Sequence, residues 1–416
     1  MSRRPISLSP DLKKLEDEGY ELEIRSQQLL VHHVPFRNAD GKVANGTLVS
    51  GLELAGDVTV RPQDHRAWFV GGIPYGPDGR KLSKIINNES AEQLAPDLIS
   101  SCMFSTKPLD GRGYRDYHHK VVTHVSLIAA AAKLLDESAT ATTFPVILDE
   151  DDDSVFNYID TASSRAGITA ATEKLKVGRV AIIGLGGSGS YILDFVAKTP
   201  IGEIHIFDGD LFLQHNAFRS PGAPSVEELR EKPMKVDHHG CIYSKMRRGI
   251  VVHDYFIDTS NLDELHSMDF VFIAADSGEA KELLAVKLVE FGVPFIDVGM
   301  GLYEVEGALG GILRTTTATA EKHEHITAKK RISASGGGGN DPYAQNIQIA
   351  ELNAMNAALA VIKWKKLVGF YLDDEQEHHS LYVIGGNEII NKDRAGDPEV
   401  VVAETTPESV AEEEAA

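Results

Sequence analysis

Four glycines, Gly184, Gly186, Gly187 and Gly189, directly follow the apolar run at residues 180–183. A continuous apolar run is typical of a parallel strand that is buried on both faces. Helical spacing resumes after the glycines, so the sequence predicts a strand, a glycine loop and then a helix. Glycines at such a junction let backbone N–H groups approach phosphate oxygens at the helix start. The pattern predicts a nucleotide-binding loop, and no Gly-Lys-Ser/Thr follows to make it a Walker loop.

A carboxylate pair, Asp208 and Asp210, follows the next predicted strand at residues 204–207. A carboxylate at that position can hold ribose hydroxyls in a dinucleotide-binding dehydrogenase. The glycine loop and Asp208 alone would therefore fit an NAD-dependent oxidoreductase.

Polar residues further along the chain favour a different chemistry. Asn216 and Arg219 follow the carboxylate pair, Lys235 comes later, and Asp276 follows the apolar run at residues 270–275. A hydride-transfer site does not need these groups. Acyl adenylation does, because a carboxylate attacks the α-phosphorus of ATP while cations neutralise the phosphates and another carboxylate holds Mg²⁺. We therefore expect ATP and Mg²⁺ as the cofactors.

With these anchors, residues 175–301 resemble the ThiF/MoeB family of adenylating enzymes, which includes the adenylation domains of ubiquitin-activating enzymes. The resemblance implies that the four glycines, Asp208 and Asp210 belong to the ATP-binding site, with Asp208 on the ribose, and that Asp276 binds Mg²⁺. It implies that the phosphates are bound by Asn216, Arg219 and Lys235. It also implies that Arg165 reaches into the site of a partner protomer, hence a homodimer with a charge-neutralising arginine in trans.

The activity implied by the resemblance is ATP-dependent adenylation of the C-terminal carboxylate of a small ubiquitin-like or sulfur-carrier protein, with release of pyrophosphate. Two alternatives stay open: adenylation of a small molecule or a tRNA base, and a nucleotide-binding pseudoenzyme that serves as a scaffold. The complete set of Arg219, Lys235 and Asp276 disfavours the scaffold.

The chain departs from the family pattern at several positions. Ser220, Ser277 and Lys281 stand where the family often has glutamine, asparagine and arginine. No cysteine lies in residues 314–345, a predicted long loop where some relatives carry a thioester-forming nucleophile, so we expect the reaction to stop at the adenylate. Cys241 is expected to be a buried structural thiol.

Two histidines of the same predicted loop, His323 and His325, could suggest a metal pair. With no further ligand in view, we expect both side chains to face solvent.

Composition limits the class of partner and the compartment. The chain has 416 residues and a formal net charge of -21, which disfavours general binding to nucleic acid or to an anionic membrane. Its two cysteines exclude a disulfide framework and paired Cys-x-x-Cys zinc sites. No apolar stretch approaches the roughly 18 residues of a membrane span, so we expect a cytoplasmic protein.

The pattern of elements predicts an α/β fold with three regions. Residues 1–148 are predicted to be a small α+β domain, residues 154–392 a doubly wound, mostly parallel, Rossmann-like adenylation domain, and residues 393–416 an acidic disordered tail. In the first domain, Cys102 lies among apolar residues and is expected to be packed with a raised pKa. By fold-level analogy this domain is a degenerate conjugating-enzyme-like module or recruits such a protein.

Overall fold

The computed structural model describes residues 3–108, 111–149, 153–276, 278–332 and 347–397. The chain divides into two compact units, residues 1–150 and residues 151–416. Within the described residues, no helix is both long and apolar enough to cross a membrane.

The first unit combines helices with an antiparallel sheet. Its helices are α1 (Arg4–Leu8), α2 (Pro10–Asp17) and α3 (Tyr117–Leu135), and its strands are β1 (Leu22–Arg25), β2 (Gln28–Arg37), β3 (Val43–Gly51), β4 (Leu54–Ala55), β5 (Val58–Thr59), β6 (Arg66–Val70), β7 (Ile86–Asn88), β8 (Gln93–Ala95), β9 (Leu98–Ile99) and β10 (Cys102–Ser105). Within the described residues its sheet has the strand order β1-β2-β3-β6-β10-β7.

Side-chain alternation along β2 explains how this sheet is packed. Leu29 and Val31 face the helices and join a core with Val121 of α3, whereas Leu30 faces the opposite side and packs with Trp68. Cys102 is fully buried in the helix-facing core, and burial raises the pKa of its thiol to about 12. The prediction of a packed thiol is confirmed.

A buried lysine in the first unit makes its stability depend on pH. Lys120 of α3 is 1% exposed, and its Nζ donates to Ser50 Oγ and to the Asp64 carbonyl oxygen, both at 2.8 Å. Burial lowers the pKa of Lys120 from 10.5 to about 8. Because the unfolded chain binds this proton more tightly, the folded state carries a penalty on the order of 3 kcal/mol below pH 8, which disappears as the pH rises to 10.5.

Replacing Lys120 with methionine should therefore raise the free energy of unfolding of the first unit by about 1–2 kcal/mol at pH 7, since the freed hydrogen-bond partners offset part of the gain. The advantage over the wild type should shrink between pH 8 and pH 10. Denaturant titration followed by the fluorescence of Trp68, in a Trp364→Phe background, measures this unit. Lys133→Met, at an exposed position of α3, is the control, and a pH-independent gain would contradict the explanation.

The second unit is built on an eight-stranded sheet within the described residues. Short 3₁₀ turns lie at Glu173–Leu175 and Leu262–Ser267. The strands are β11 (Arg179–Ile183), β12 (Glu203–Phe207), β13 (Ile250–His253), β14 (Phe270–Ile273), β15 (Phe295–Val305), β16 (Ala308–Ala318), β17 (Glu377–Val383) and β18 (Glu388–Arg394), and the helices are α4 (Thr161–Arg165), α5 (Thr169–Thr172), α6 (Gly187–Val196), α7 (Gln214–Ala217), α8 (Val226–Glu231), α9 (Lys235–Tyr243), α10 (Gly278–Phe291), α11 (His325–Ala328) and α12 (Ala350–Leu367).

The strand order of this sheet is β13-β12-β11-β14-β15-β16-β17-β18. Strands β11 to β15 are parallel, and β16 to β18 extend the sheet in antiparallel pairs. The chain leaves β11 toward β12 and later returns to β14 on the other side of β11. Such a reversal of strand order is where doubly wound folds bind ligands, at the carboxyl ends of the strands. The predicted fold class is confirmed.

Both faces of the parallel strands are buried, as the apolar runs predicted. Val180 and Ile182 of β11 pack in a core with Ile192 of α6 and Trp364 of α12. Ala181 and Ile183, on the opposite face, pack in a second core that includes residues 284, 285 and 288 of α10. The two helical layers fix the ends of the strands and hence the loops that follow them.

Several expectations for the second unit were wrong. The predicted loop begins within a strand, because Arg314 belongs to β16, and only residues 333–346 of this region fall outside the described residues. His325 is 1% exposed, and burial lowers its pKa to about 4, whereas His323 is half-buried.

Two further differences concern Cys241 and the chain end. Cys241 is exposed, because Val236, Gly240 and Tyr243 form the buried face of α9. Asp393, which was predicted to begin the tail, is 2% exposed in β18 and pairs with Lys329 and Arg331. The rest of the predicted tail, from residue 398, lies outside the described residues.

Candidate nucleotide site

The glycine loop connects β11 to α6 at the point where the strand order reverses. Gly184 has a φ of +88°, and a Cβ there would lie 2.7 Å from the Ala274 carbonyl oxygen. A Cβ on Gly189 would lie only 1.8 Å from the Gly184 carbonyl oxygen. Gly186 is the N-cap of α6 and provides no side-chain cap, so the first-turn N–H groups are available to an anion. The loop is therefore tightly packed on one side and suited to phosphate on the other.

Gly186 differs from the other three glycines because a Cβ there would meet nothing within 4 Å. Its φ of -68° is also compatible with alanine. Packing within the chain thus does not explain glycine at this position, whereas the close approach of a ligand would explain it. Gly186→Ala should change the free energy of unfolding by less than about 0.5 kcal/mol while weakening ATP binding at least tenfold.

Gly189→Ala is the matched variant, because its added methyl group must displace backbone. It should destabilise the second unit by several kcal/mol. Thermal unfolding and calorimetric ATP titration of both variants test this contrast. Unchanged ATP affinity in Gly186→Ala would exclude this face of the loop as the ligand site.

Asp208, at the end of β12, is fixed directly against the glycine loop. Its Oδ2 accepts the Leu185 N–H at 2.7 Å, and its Oδ1 accepts the Asp210 N–H at 2.9 Å. Lys235 Nζ, at the start of α9, lies 3.3 Å from both Asp208 oxygens and 2.7 Å from Asp210 Oδ2. Asp208 and Lys235 are 4% and 7% exposed. The structure therefore joins these three predicted residues in one charge cluster at the edge of the loop, in which Asp208 and Lys235 are buried and Asp210 is exposed.

Asn216 and Arg219 lie on one short segment around α7. Asn216 is 3% exposed, and its Oδ1 accepts the Leu213 N–H at 2.9 Å, which caps the helix. Its carbonyl oxygen accepts from the Arg219 N–H at 3.1 Å and from Ser220 Oγ at 2.6 Å. Arg219 is half-buried, and its Nε is a buried donor without a hydrogen-bond partner among the described residues. An anion at this place would satisfy that donor.

Asn353 of α12, which no sequence pattern predicted to lie in the site, joins this segment to the glycine loop. Its Oδ1 accepts from Ser188 Oγ at 3.1 Å, and its Nδ2 donates to the Arg219 carbonyl oxygen at 3.3 Å. The side chain is 1% exposed. Asn353 shares the buried face of α12 with Ala357, Ala360 and Trp364, and a polar residue in register with these apolar positions was the available signal.

Asp276 follows β14, the strand next to β11. The Ala274 N–H donates to the Ile183 carbonyl oxygen at 2.8 Å, so the ends of the two strands remain together. The side chain of Asp276 is exposed, and its Oδ1 lies 3.4 Å from Gln348 Nε2. Asp276 thus lies at the same edge of the sheet as the glycine loop.

Lys281, a departure from the family pattern, and Arg165, a predicted site residue, have different surroundings. Lys281 does not extend into solvent, because its Nζ lies 2.8 Å from Asp297 Oδ1 and donates to the Val298 carbonyl oxygen at 2.6 Å. Asp297 is fully buried, and Arg314 Nη2 contacts its other oxygen at 2.6 Å. Arg165 ends α4 and is exposed. Among the described residues, no cluster of three or more His, Cys, Asp or Glu side chains could hold a metal ion.

The glycine loop, the Asp208 carboxylate and the adjacent cations are features of a nucleotide-binding α/β fold. Residues 160–376 match the ThiF family, and this match covers more than half of the chain. The protein therefore belongs to the ThiF family. Residues 10–161 match a domain of unknown function, DUF6791.

The chain is similar to proteins of known name over part of its length. It is 24% identical over 157 residues to ubiquitin-like modifier-activating enzyme 5 of Rattus norvegicus and of Mus musculus. These matches cover 35% of the chain and 39% of either relative, so the chain spans well under half the length of those relatives.

Several solved structures are similar to part of the chain. E. coli MccB with ATP is 20% identical, with 58% of the chain and 70% of MccB covered and a TM-score of 0.41. PaaA is 17% identical, with 54% and 75% covered and a TM-score of 0.42. E. coli tRNA N6-threonylcarbamoyladenosine dehydratase, TcdA, is 18% identical, with 50% and 92% covered and a TM-score of 0.37.

Proposed function

We propose that the second unit is an ATP-dependent adenylyltransferase that activates a carboxylate. The observation that carries this proposal is the attachment of the Arg219 segment to the first turn of α6 through Asn353. Arg219 Nε is buried and has no hydrogen-bond partner in the part of the chain that the structure describes, and such an arginine beside a glycine loop supports chemistry on a polyphosphate more than hydride transfer.

In the proposed reaction, a carboxylate oxygen of the substrate attacks the α-phosphorus of ATP. A new P–O bond forms, the bond from the α-phosphorus to the bridging oxygen breaks, and pyrophosphate leaves with that electron pair. Negative charge accumulates on the departing phosphates. Arg219 and Lys235 would neutralise it, while the amides at the start of α6 and the carboxylate of Asp208 would hold the phosphates and the ribose.

Lys235 has to change partners for this role, because it pairs with Asp208 and Asp210 in the present arrangement. Asp210 is largely exposed and can release the ammonium group toward a phosphate. The cluster of Asp208, Asp210 and Lys235 would then contact both the ribose, through Asp208, and a phosphate, through Lys235.

The carboxylate of Asp276 fits Mg²⁺, which proteins commonly bind through one or two carboxylates together with substrate phosphates. Mg²⁺ bound there would screen the charge of the leaving pyrophosphate. Asp276 is exposed at the correct edge of the sheet to be reached by such an ion.

We propose a small ubiquitin-like or sulfur-carrier protein with an accessible C-terminus as the carboxylate substrate. The name of the relatives, ubiquitin-like modifier-activating enzyme 5, supports this choice. We further propose that the protein acts as a homodimer in which the exposed Arg165 serves the site of a second copy. Residues 1–148, which lie in the first unit, would recruit a conjugating-enzyme-like partner.

Asp276→Ala should abolish ATP:pyrophosphate exchange, measured with a carrier protein that ends in glycine, without changing the thermal unfolding temperature. The side chain is exposed, so its removal leaves no cavity. Glu282→Ala, at an exposed position of α10, is the control with the same loss of charge. Full exchange activity in Asp276→Ala would remove this residue from the site.

A further inference from the structure

Asn353 bridges two segments that come from different parts of the chain. Ser188 lies in the first turn of α6, and Arg219 lies just after α7. The carboxamide uses its oxygen for the first and its nitrogen for the second, at 3.1 and 3.3 Å. An Asn side chain at 1% exposure with both ends engaged holds the two segments at a fixed separation.

The glycine loop is shaped around this side chain. A Cβ on Gly187 would lie 2.0 Å from Asn353 Nδ2 and 2.3 Å from its Cγ. Glycine at this position therefore makes room for the amide, and the bridge is part of how the loop is packed.

Asn356 provides an internal comparison because it lies about one turn further along α12 and is also 1% exposed. Its Nδ2 donates to the Gly299 carbonyl oxygen at 3.1 Å, in β15. Its described hydrogen bond thus goes to the sheet and to neither of the two segments bridged by Asn353.

We infer that Asn353 is a positioning residue for Arg219, holding the main chain at Arg219 against the phosphate-binding start of α6. This inference rests on the proposed function for its effect on turnover. The bridge sets where the guanidinium group lies relative to the phosphates, and misplacement by about 1 Å can reduce a rate a hundredfold.

The first test needs no ligand and so does not depend on the proposed function. Hydrogen exchange of the backbone amides at residues 214–222 is measured in the full chain for the wild type, Asn353→Ala and Asn356→Ala. Asn353→Ala should accelerate exchange in this segment at least fivefold, and Asn356→Ala should leave it unchanged. Equal exchange in all three proteins, or equal acceleration in both variants, would overturn the inference.

The second test separates positioning from packing by means of Asn353→Asp, which keeps the shape and the acceptor for Ser188 but loses the donor to Arg219. Both Asn353→Asp and Asn353→Ala should reduce kcat for pyrophosphate exchange at least tenfold, with the KM for ATP changed less than threefold. Asn356→Ala should retain wild-type kcat and KM. Wild-type kcat in Asn353→Asp would overturn the inference, whereas absence of exchange in the wild type itself would count against the proposed function and leave the hydrogen-exchange result decisive.

Discussion

Arg219→Ala should reduce ATP:pyrophosphate exchange at least a hundredfold. Preorganised cations that meet developing phosphate charge are typically worth that much, because they act where water is partly excluded. The fold should survive the substitution. The hydrogen bonds that fix this segment use the main-chain N–H and carbonyl of Arg219, which alanine retains.

Two further variants make this result specific. Arg219→Lys should recover only part of the activity, since an ammonium group lacks the planar pair of donors that matches phosphate oxygens. Arg230→Ala removes an exposed arginine from α8 and should behave as the wild type. If Arg230→Ala lost as much activity as Arg219→Ala, the loss would come from the change in net charge and not from removal of a group that contacts the phosphates.

The free energy of unfolding of the second unit should fall steeply as the pH is lowered from about 6.5 to about 4. Burial lowers the pKa of His239 and of His379 to about 3 and that of His325 to about 4, against 6.5 for an exposed histidine. These groups stay neutral in the folded chain, so stability is complete above pH 6.5 and is lost as the unfolded chain takes up protons below it. Three such protons give a slope of roughly 4 kcal/mol per pH unit.

His239→Leu tests the cause of this acid sensitivity. His239 is fully buried, and neither ring nitrogen has a hydrogen-bond partner among the described residues. Leucine should reduce the slope by about one proton, measured from denaturant titrations of Trp364 fluorescence in a Trp68→Phe background at several pH values. His266→Leu, at an exposed histidine, should leave the slope unchanged. An unchanged slope in His239→Leu would assign the acid sensitivity to other groups.

Local sequence patterns were sufficient to predict the part of the site that is formed by the ends of adjacent strands. The apolar run of β11, the glycines and Asp208 occupy successive strand ends, and adjacent parallel strands bring these ends together. The sequence therefore predicted which residues meet at the glycine loop. It could not predict that Lys235 pairs with both carboxylates, because that depends on where α9 begins relative to β12.

Long-range contacts were out of reach of sequence patterns. Asn353 is 165 positions from Ser188, and only the path of the chain across the sheet brings them together. Strand β16 was not predicted, because three consecutive threonines interrupt the apolar pattern of the sequence. Thr315, Thr316 and Thr317 are nevertheless all buried in the structure. Asp393 was assigned to the tail because an aspartate is usually exposed. Its burial is possible because Lys329 and Arg331 pair with its carboxylate, and the sequence does not show these contacts.

Calorimetric titration of the wild-type protein with ATP and Mg²⁺, and separately with NAD, tests the central claim most directly. We expect the wild-type protein to bind ATP at one site per chain and not to bind NAD. We expect the Arg219→Ala variant not to bind ATP. Binding of NAD without binding of ATP would contradict the assignment and place the glycine loop and Asp208 in a dehydrogenase-type site.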